Sequence, residues 1–397
     1  MKVVPVLVLV LASSASAAPA DVSIDQAIEL YRQHSPRLAA TQANIGVAQA
    51  DLVDARIYPN PTLGLSAART VSGTDTIGHT QPTLSLDVPI LIGGQRGRRA
   101  DAAKAHVDVA RASAARDQGD AELEIRARFA TLLAAQDRTS VLAGALADAK
   151  ALRDIVAGRS SAGAGSAYAV ERIDLAIAAL ASRVDEATTD ESTRAADLAL
   201  VVGLPGWRPH ALGDLAAMSP PQAIDPAHPA LVADRADATS ARADIARAKA
   251  DGIPTPSIGL QTFATTDPAG WAVTAGVSVP LPLFDRNQGA VARARAEAHR
   301  ATLELAATQS ELTTALDRAS AEAKARRDAL ARFRADALQR LSKVRFMAEA
   351  SYKSGQGGIV ELLDALDAIT EAKLRELELR AAVADAELDV RRAAHGR

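Results

Sequence analysis

The chain has no cysteine, and only 3% of its 397 residues are aromatic. Without cysteine it forms no disulfide bonds, so helix packing or association between chains must stabilise it. It also lacks the cysteine that lipid attachment after a signal peptide would need. Aromatic side chains are scarce, whereas alanine, the best helix former, is abundant. This composition favours long, closely packed helices over a thick globular core.

The chain has no strong charge of either sign, since its formal net charge is -3 and its pI is about 6.2. No basic stripe with interleaved aromatic residues is present, so nucleic acid is not an expected partner. The motifs of zinc proteases, serine hydrolases and phosphate-binding loops are missing, which argues against an enzyme. Neither a metal site nor a cofactor is expected, because the histidines are scattered along the chain: His34, His79, His106, His210, His228, His299 and His395.

The chain also lacks an apolar run of the roughly 20 residues that a membrane-spanning helix requires. Its most apolar stretch, residues 3–12, follows a lysine and precedes a series of small residues. This order of a charged start, a short apolar core and small residues predicts a secretory signal peptide over residues 1–20. The candidate cleavage positions are Ala17, Ala18 and Ala20.

What the chain does contain is a long internal repeat. In each half, apolar alternating stretches that end in proline precede a very long helical run. The stretches are residues 59–66 and 84–91 in the first half, and residues 254–261 and 277–284 in the second. The repeat divides the mature chain into a first structural repeat, residues 21–203, an inter-repeat linker, residues 204–229, and a second structural repeat, residues 230–397.

Helices account for most of each repeat. One helix is predicted before the strands, over residues 24–56 in the first repeat and 231–249 in the second. An antiparallel helical hairpin is predicted after the strands. Its outgoing helix covers residues 95–157, roughly 90 Å at 1.5 Å per residue, and its returning helix residues 168–202. The second hairpin covers residues 288–353 and 359–392. Its returning helix shows a coiled-coil seam with a mean spacing near 3.5, formed by Leu363, Leu366, Thr370, Leu374, Leu377, Ala381, Ala384 and Leu388.

Each chain supplies four predicted strands of about ten residues, a length that fits a tilted membrane strand. Four strands leave open edges, which lipid excludes because every backbone donor and acceptor must be paired there. Strands from three chains would give about twelve, enough for a barrel with an open lumen. The predicted fold class is therefore mainly α with a membrane β-barrel. The alternative, a soluble periplasmic coiled-coil scaffold with two small sheets, leaves the apolar hairpins without a role.

The few aromatic residues lie near the ends of the predicted strands. Tyr58 and Phe284 lie just outside the strand bases, and Phe263 and Trp271 lie near the tip of the second hairpin. Membrane aromatics prefer the two interfaces, so these four residues are predicted to mark the rims of the membrane region. The alternative for Tyr58 and Phe284 is ordinary packing beside a proline.

The repeat, the two hairpins whose strands end in proline, and the glycine-rich turns at residues 158–165 and 354–358 resemble the TolC family of outer membrane efflux proteins over essentially the whole mature chain. Residues 279–289 (VPLPLFDRNQG) and 292–297 (ARARAE) are most similar to its cobalt–zinc–cadmium efflux branch, and residues 92–97 (IGGQRG) are the first-half counterpart. The resemblance implies a homotrimer in the outer membrane of a Gram-negative bacterium, with a large periplasmic portion. Twelve strands would form one barrel and twelve long helices a periplasmic tunnel.

The same resemblance implies the exit duct of a tripartite efflux pump. Its partners would be outer membrane lipid, a periplasmic adaptor (membrane fusion) protein and an inner-membrane transporter of the resistance-nodulation-division type. The branch implies heavy-metal cations as substrates. Two alternatives stay open: the same duct serving drugs or organic solutes, and a periplasmic coiled-coil adaptor or scaffold protein.

The family also implies where the pore closes. Its members close near the glycine turns, often with acidic residues that face the pore. The matching candidates are Glu361, Asp364 and Asp367, with Glu171 and Asp174 as first-half equivalents. Rings of carboxylates favour cations, but acidic residues in the first turns of a helix also suit its dipole.

Two further expectations concern the same turns. Salt links from the acids to basic residues such as Arg159 or Lys353 would hold the closed state. Adaptor contact is expected at the exposed tips, Gly163, Gly165, Gly355, Gly357 and Gly358, although glycines there also permit tight turns.

Overall fold

The computed structural model describes residues 19–69, 71–72, 80–215, 223–266 and 269–396. Residues 1–18, which form most of the predicted signal peptide, lie outside the described residues, as does most of the predicted polar loop at residues 72–78. Within the described ranges, no helix combines the length and the apolar character that crossing a membrane would require.

The order of helices and strands follows the predicted repeat. The first repeat contains β1 (Asp21–Val22), α1 (Ile24–His34), α2 (Pro36–Ala55), β2 (Thr62–Arg69), β3 (Thr80–Pro89), α3 (Gln95–Ser161) and α4 (Ala167–Val202). The linker and second repeat contain β4 (His210–Ala211), α5 (Pro229–Asp251), β5 (Ser257–Thr266), β6 (Ala269–Ser278), α6 (Gln288–Phe333), a π-helical turn (Arg334–Leu338), α7 (Gln339–Ser354) and α8 (Ile359–His395). The four long strands and both helical hairpins are therefore confirmed.

The prediction of one helix over residues 24–56 is wrong, because the chain leaves helical geometry at Ser35. The residue before a proline is pushed toward extended backbone, and Ser35 has φ -72 and ψ 115. Its hydroxyl accepts a hydrogen bond from the Leu38 amide at 3.3 Å. Ser35 therefore ends α1 and caps α2.

The prediction of one uninterrupted helix over residues 288–353 is also wrong. A π-helical turn separates α6 from α7, and Arg334 at its start donates from Nε to Glu376 Oε1 of α8 at 2.8 Å. A π-helical turn inserts one extra residue into the helix and shifts the faces that follow it. The counterpart helix α3 runs through 67 residues without such a turn.

The described part of the predicted inter-repeat linker contains a short strand. Its strand β4 pairs in parallel with β1, with Val22 opposite Ala211. The Trp207 indole donates to the Pro19 carbonyl at 2.9 Å. These contacts tie the start of the described chain to the linker.

The chain forms two compact units, and each repeat contributes to both. The first unit comprises the described parts of residues 1–39, 119–224 and 314–397. One apolar cluster joins α1, α3, α4 and Leu377 of α8, and another joins α3, α4, α7 and α8 beside the two helical turns. Leu363, Leu366, Leu374 and Leu377 of the predicted seam are buried, which confirms the seam.

The second unit comprises the described parts of residues 40–118 and 225–313 and contains the four-stranded sheet. All neighbouring strands are antiparallel, in the order β2-β3-β5-β6, so the two hairpins join through β3 and β5. The register puts apolar residues in one cross-strand row, Leu63, Leu86, Leu260 and Ala275. The adjacent row is Gly64, Ser85, Gln261 and Thr274. Because side chains alternate between faces, the sheet has one apolar and one polar face.

A hydrogen-bonded network fastens α3 to α5 in the second unit. His106 Nδ1 lies 3.0 Å from the Ser240 hydroxyl, and His106 Nε2 lies 3.2 Å from the Asp244 carboxylate. The three residue types are those of a hydrolase triad, but only 2% of Ser240 is exposed. A nucleophile sealed between two helices meets no substrate, so the network has a structural role.

Candidate functional site

The two helical hairpins of the first unit turn at residues 162–166 and 355–358. Gly163 and Gly355 have positive φ angles of 73 and 79 degrees, a conformation that glycine adopts without steric cost. Ser166 caps α4 by accepting a hydrogen bond from the Ala169 amide at 3.3 Å, whereas Gly358 occupies the same position before α8 without a side chain. The two tips therefore share their backbone design but differ in capping.

Gly165 and Gly358 differ in the space around them, which gives a matched pair of substitutions. A methyl group at Gly165 would lie 2.9 Å from the Ser160 backbone nitrogen, whereas one at Gly358 would meet nothing within 4 Å. Gly165→Ala is therefore expected to destabilise the first turn by about 1–3 kcal/mol. Gly358→Ala is expected to change stability by less than about 1 kcal/mol, because alanine fits there without a clash but is a poorer N-cap residue than glycine. Hydrogen exchange at the tip amides measures both, and equal exchange in the two variants would contradict the steric argument.

Arg159 links the two tips to each other. It donates from Nη2 to the Ala164 carbonyl at 3.1 Å in its own turn and from Nη1 to the Tyr352 carbonyl at the end of α7. Its guanidinium also lies 4.8 Å from the centroid of the Tyr352 ring. Tyr352 is buried in the apolar cluster beside the turns, so this cation–π contact anchors one tip to the core of the other.

The three acidic candidates of α8 form a stripe on its exposed side. Glu361, Asp364 and Asp367 follow the cap residue Gly358 by three, six and nine positions, and all three are exposed. The intervening Leu362 and Leu366 are buried against the other helices. Across the described part of the chain, none of the three acids forms an ion pair or hydrogen bond. The stripe is therefore free negative charge on one face of a packed helix.

The predicted salt links of Arg159 and Lys353 to these acids are absent within the described chain. Arg159 is used by the two carbonyls and the Tyr352 ring. Lys353 lies 4.0 Å from Glu349, one turn earlier on α7. Within one chain, neighbouring helices are held instead by other pairs, such as Arg345 with Asp148 at 2.9 and 3.0 Å.

The first-repeat candidates are not register equivalents of the α8 stripe. Glu171 and Asp174 follow the cap residue Ser166 by five and eight positions rather than three, six and nine. Glu171 is exposed, but Asp174 accepts hydrogen bonds from Arg153 at 2.5 and 3.2 Å. The hydrogen bonds with Arg153 hold the pKa of the Asp174 carboxyl below its usual value. The negative charge of Asp174 is thus compensated by Arg153 of the same chain.

This ion pair makes a pH-dependent contribution to the first unit. Because the folded-state pKa of Asp174 is lowered, the contribution is present above the unfolded value of about 3.9 and is lost as pH falls through the folded value. Asp174→Asn is therefore expected to lower the unfolding midpoint at pH 7 slightly and to leave it unchanged below the folded pKa. Chemical unfolding across this pH range tests the sign, with Glu171→Gln as the control. A larger effect of Asp174→Asn in acid than at neutral pH would contradict it.

The second candidate feature is the apolar face of the sheet. Its large side chains are 37% to 81% exposed, and they are Leu63, Leu65, Leu84, Leu86, Val88, Ile258, Leu260, Trp271, Val273 and Val277. The opposite face carries Ser66, Thr83, Ser85, Asp87, Gln261 and Thr274. A contiguous exposed apolar surface of this kind marks contact with a membrane or another protein.

Three of the four predicted rim aromatics have suitable positions. Trp271 is on the apolar face near the hairpin tip, opposite Ala264. Tyr58 and Phe284 lie in connections at the other end of the sheet, and 91% of Phe284 is exposed. Their role at a membrane rim remains a prediction.

The prediction for Phe263 is corrected by the register. Phe263 lies opposite Thr83 and Ala272, which places it on the polar face. Residues of a strand alternate between faces, so Phe263 and Trp271 cannot share one surface. Phe263 is thus not part of the exposed apolar face.

Comparison with known proteins identifies relatives that cover most of the chain. The profile of the family described as "Outer membrane efflux protein" matches residues 27–204 and 221–396. The cobalt-zinc-cadmium resistance protein CzcC of Cupriavidus metallidurans is 27% identical over 367 residues, covering 90% of this chain and 86% of CzcC. The nickel-cobalt-cadmium resistance protein NccC of Alcaligenes xylosoxydans xylosoxydans is 24% identical over 70% of this chain and 64% of its own. The crystal structure of CusC has the same fold, with a TM-score of 0.76, 15% identity, and coverage of 96% of this chain and 94% of CusC.

Proposed function

The chain belongs to the outer membrane efflux protein family, and on that premise we propose that it forms the exit duct of a tripartite efflux pump. Proteins of this family are outer membrane channels with a large periplasmic tunnel. In the proposed assembly, three copies join their four-stranded sheets into one twelve-stranded barrel and their helical hairpins into one tunnel. A periplasmic adaptor and an inner-membrane transporter of the resistance-nodulation-division type deliver the substrate, and this chain conducts it passively.

The observation that carries the proposal is the sheet itself. It has an apolar face, a polar face and two strands, β2 and β6, at its open edges. In lipid, unpaired backbone groups at such edges cost several kcal/mol each, so the edges require partners. Joining β6 of one copy to β2 of the next satisfies both edges at once. The apolar face then meets lipid and the polar face lines the lumen.

We assign the control of passage to the helical tips. The acidic stripe of α8 would become three rings of three carboxylates in a trimer, and such rings attract cations and repel anions. The Arg159 contact with Tyr352 would keep both tips of one copy together in the closed state. The exposed turns around Gly163 and Gly355 are the expected adaptor contacts.

Heavy-metal cations are the proposed substrates. Two metal-resistance proteins, CzcC and NccC, are similar to this chain over 90% and 70% of its length. An acidic pore attracts divalent cations. Passage also requires that each ion be released again, and rings of separate carboxylates attract the ions without binding them tightly. Drugs and organic solutes are the competing substrates.

Three measurements test the proposal. Cell fractionation should place the protein in the outer membrane, resistant to salt extraction, as an oligomer that dissociates only on heating. The purified protein should form cation-preferring channels in planar bilayers. Deleting the gene should increase sensitivity to cobalt, zinc or cadmium. A soluble periplasmic protein would overturn the duct, whereas increased sensitivity to drugs alone would overturn only the metal substrate.

A further inference from the structure

Exposed apolar residues continue beyond the sheet into the connections at one of its ends. All four strands reach this end, where Pro89 lies opposite Ser257 and Ser257 opposite Ser278. The apolar residues of these connections are more than half exposed, and they are Ile57, Tyr58, Ile92, Leu281, Leu283 and Phe284. We call this set the collar. Water is a poor environment for so many large apolar side chains, so the collar requires a covering partner.

Positive charge accompanies the collar. The two connections from strand to long helix, taken with the first helical turns as residues 90–99 and 279–292, contain four arginines and one aspartate. The whole chain, by contrast, has a net charge of -3. The one aspartate, Asp285, accepts a hydrogen bond from the Asn287 backbone amide at 2.8 Å. Two of the four arginines, Arg98 and Arg99, pair with Asp101 and Asp251, so Arg96 and Arg286 supply the uncompensated positive charge beside the collar.

Arg96 and Arg286 are each fixed by a hydrogen bond from Nε to a backbone carbonyl. Arg96 donates from Nε to the Arg56 carbonyl at 2.6 Å and lies 5.0 Å from the centroid of the Tyr58 ring. Arg286 donates from Nε to the Pro282 carbonyl at 3.2 Å, two residues after Phe284. For both arginines, the terminal guanidinium nitrogens have no partner among residues 40–118 and 225–313 that the structure describes. Each arginine thus presents unpaired guanidinium N–H groups at the collar, and Arg96 does so beside the Tyr58 ring.

The neighbouring cleft has a different charge balance. It has a volume of about 730 Å³, apolar walls that include Pro254 and Leu281, and two arginines, Arg99 and Arg247. Both arginines are already paired, Arg99 with Asp251 at 2.9 Å and Arg247 with Asp244 at 3.1 Å. An anion would have to displace a carboxylate there. Arg96 and Arg286 are the better anion ligands of this region.

We propose that the collar binds anionic phospholipid at two positions in each chain, with one lipid phosphate at the Arg96 guanidinium, another at the Arg286 guanidinium, and the acyl chains against the apolar residues of the collar. Two parallel guanidinium N–H groups match the geometry of a phosphate, and aromatic rings favour the headgroup level of a membrane. The inference rests on the proposed membrane position of the sheet. In a trimer, each copy would contribute two such positions to a ring at one membrane surface.

Lipid titration of the detergent-purified, full-length protein tests the proposal. Dioleoylphosphatidylglycerol is added in steps, and the bound molecules are counted by native mass spectrometry. Each arginine near an anionic lipid contributes roughly a fivefold gain in affinity, so R96Q/R286Q, which removes one arginine from each position, is expected to bind this lipid roughly fivefold more weakly at both positions. The matched control is R293Q/R300Q, which removes two exposed arginines of α6 that pair with Glu297 and Glu304. It should bind like the wild type.

Four outcomes would overturn the proposal. The two double variants could bind dioleoylphosphatidylglycerol equally well, or the wild type could retain zwitterionic dioleoylphosphatidylcholine as well as it retains dioleoylphosphatidylglycerol. Glycerol 3-phosphate could displace the bound lipid as effectively as free dioleoylphosphatidylglycerol does, or R96Q/R286Q could dissociate into single chains whether or not lipid is present. The third would identify a site for free anions, and the fourth a contact between copies. Bilayer conductance is recorded on the same samples. If the wild-type protein conducts and R96Q/R286Q binds lipid as the wild type does, only the collar site is rejected. If the wild-type protein never conducts, the duct itself is rejected.

Discussion

Val273→Arg is expected to abolish assembly in the outer membrane, whereas Thr274→Arg, one residue further along β6, is expected to assemble normally. Val273 is 75% exposed on the apolar face, and Thr274 belongs to the polar row of the sheet. An arginine facing lipid near the bilayer midplane costs about 2–4 kcal/mol per chain, whereas one facing a water-filled lumen costs little. Three copies in one barrel would multiply the penalty.

The measurement is the amount of heat-modifiable oligomer in the outer membrane fraction of cells that express each variant. The two variants introduce the same side chain into the same strand, so synthesis and export affect them equally. Normal assembly of Val273→Arg would mean that the apolar face does not meet lipid. If Thr274→Arg failed to assemble to the same extent, both faces of the sheet would be in contact with lipid or protein rather than with water.

The double substitution Asp364→Asn and Asp367→Asn is expected to reduce the cation preference of the channel. Both carboxylates are exposed, and no described residue compensates their charge. Asparagine keeps the size of the side chain and removes the charge, so packing of α8 is retained. A loss of about 1 kcal/mol of attraction corresponds to a roughly fivefold fall in the ratio of cation to anion permeability. The reversal potential in a salt gradient across a planar bilayer measures this ratio.

The matched control removes two charges from a later part of α8. Glu378→Gln with Asp385→Asn changes two exposed acids of the same helix that lie outside the stripe. An unchanged reversal potential in the stripe variant, or an equal change in the control, would show that the stripe is not the selective part of the pore.

Sequence patterns predicted the elements that depend on local periodicity. Alternating residues such as Leu63 and Leu65 predicted strands, and the 3.5-residue spacing from Leu363 to Leu388 predicted a buried seam. The same alternation could have excluded Phe263 from the apolar face. Phe263 lies three residues after Leu260 in β5, and residues an odd number of positions apart in a strand lie on opposite faces. The break at Ser35 also had a signal, the proline that follows it.

The remaining features depend on contacts between distant parts of the chain. Arg159 and Tyr352 are separated by 193 residues, and nothing local to either predicts their contact. Arg334 starts a π-helical turn in a segment of ordinary helix formers, where its bond to Glu376 is a tertiary effect. The pairing of Asp174 with Arg153 depends on how the two helices of a hairpin are aligned, which spacing from a turn does not determine.

The central claim is that three copies share one barrel wall, and cross-linking of the sheet edges tests it most directly. The chain has no cysteine, so cysteines introduced at Ser66 of β2 and Thr274 of β6 are its only thiols. Within one chain β3 and β5 lie between these strands and keep them roughly 14 Å apart. This separation is too large for a disulfide bond or for a cross-linker of about 8 Å. A short bis-maleimide of about 8 Å is then applied to outer membranes. The account predicts a ladder that ends at a covalent trimer and that neither single-cysteine variant forms; a protein that stays monomeric, and is stable in buffer without detergent, would contradict it.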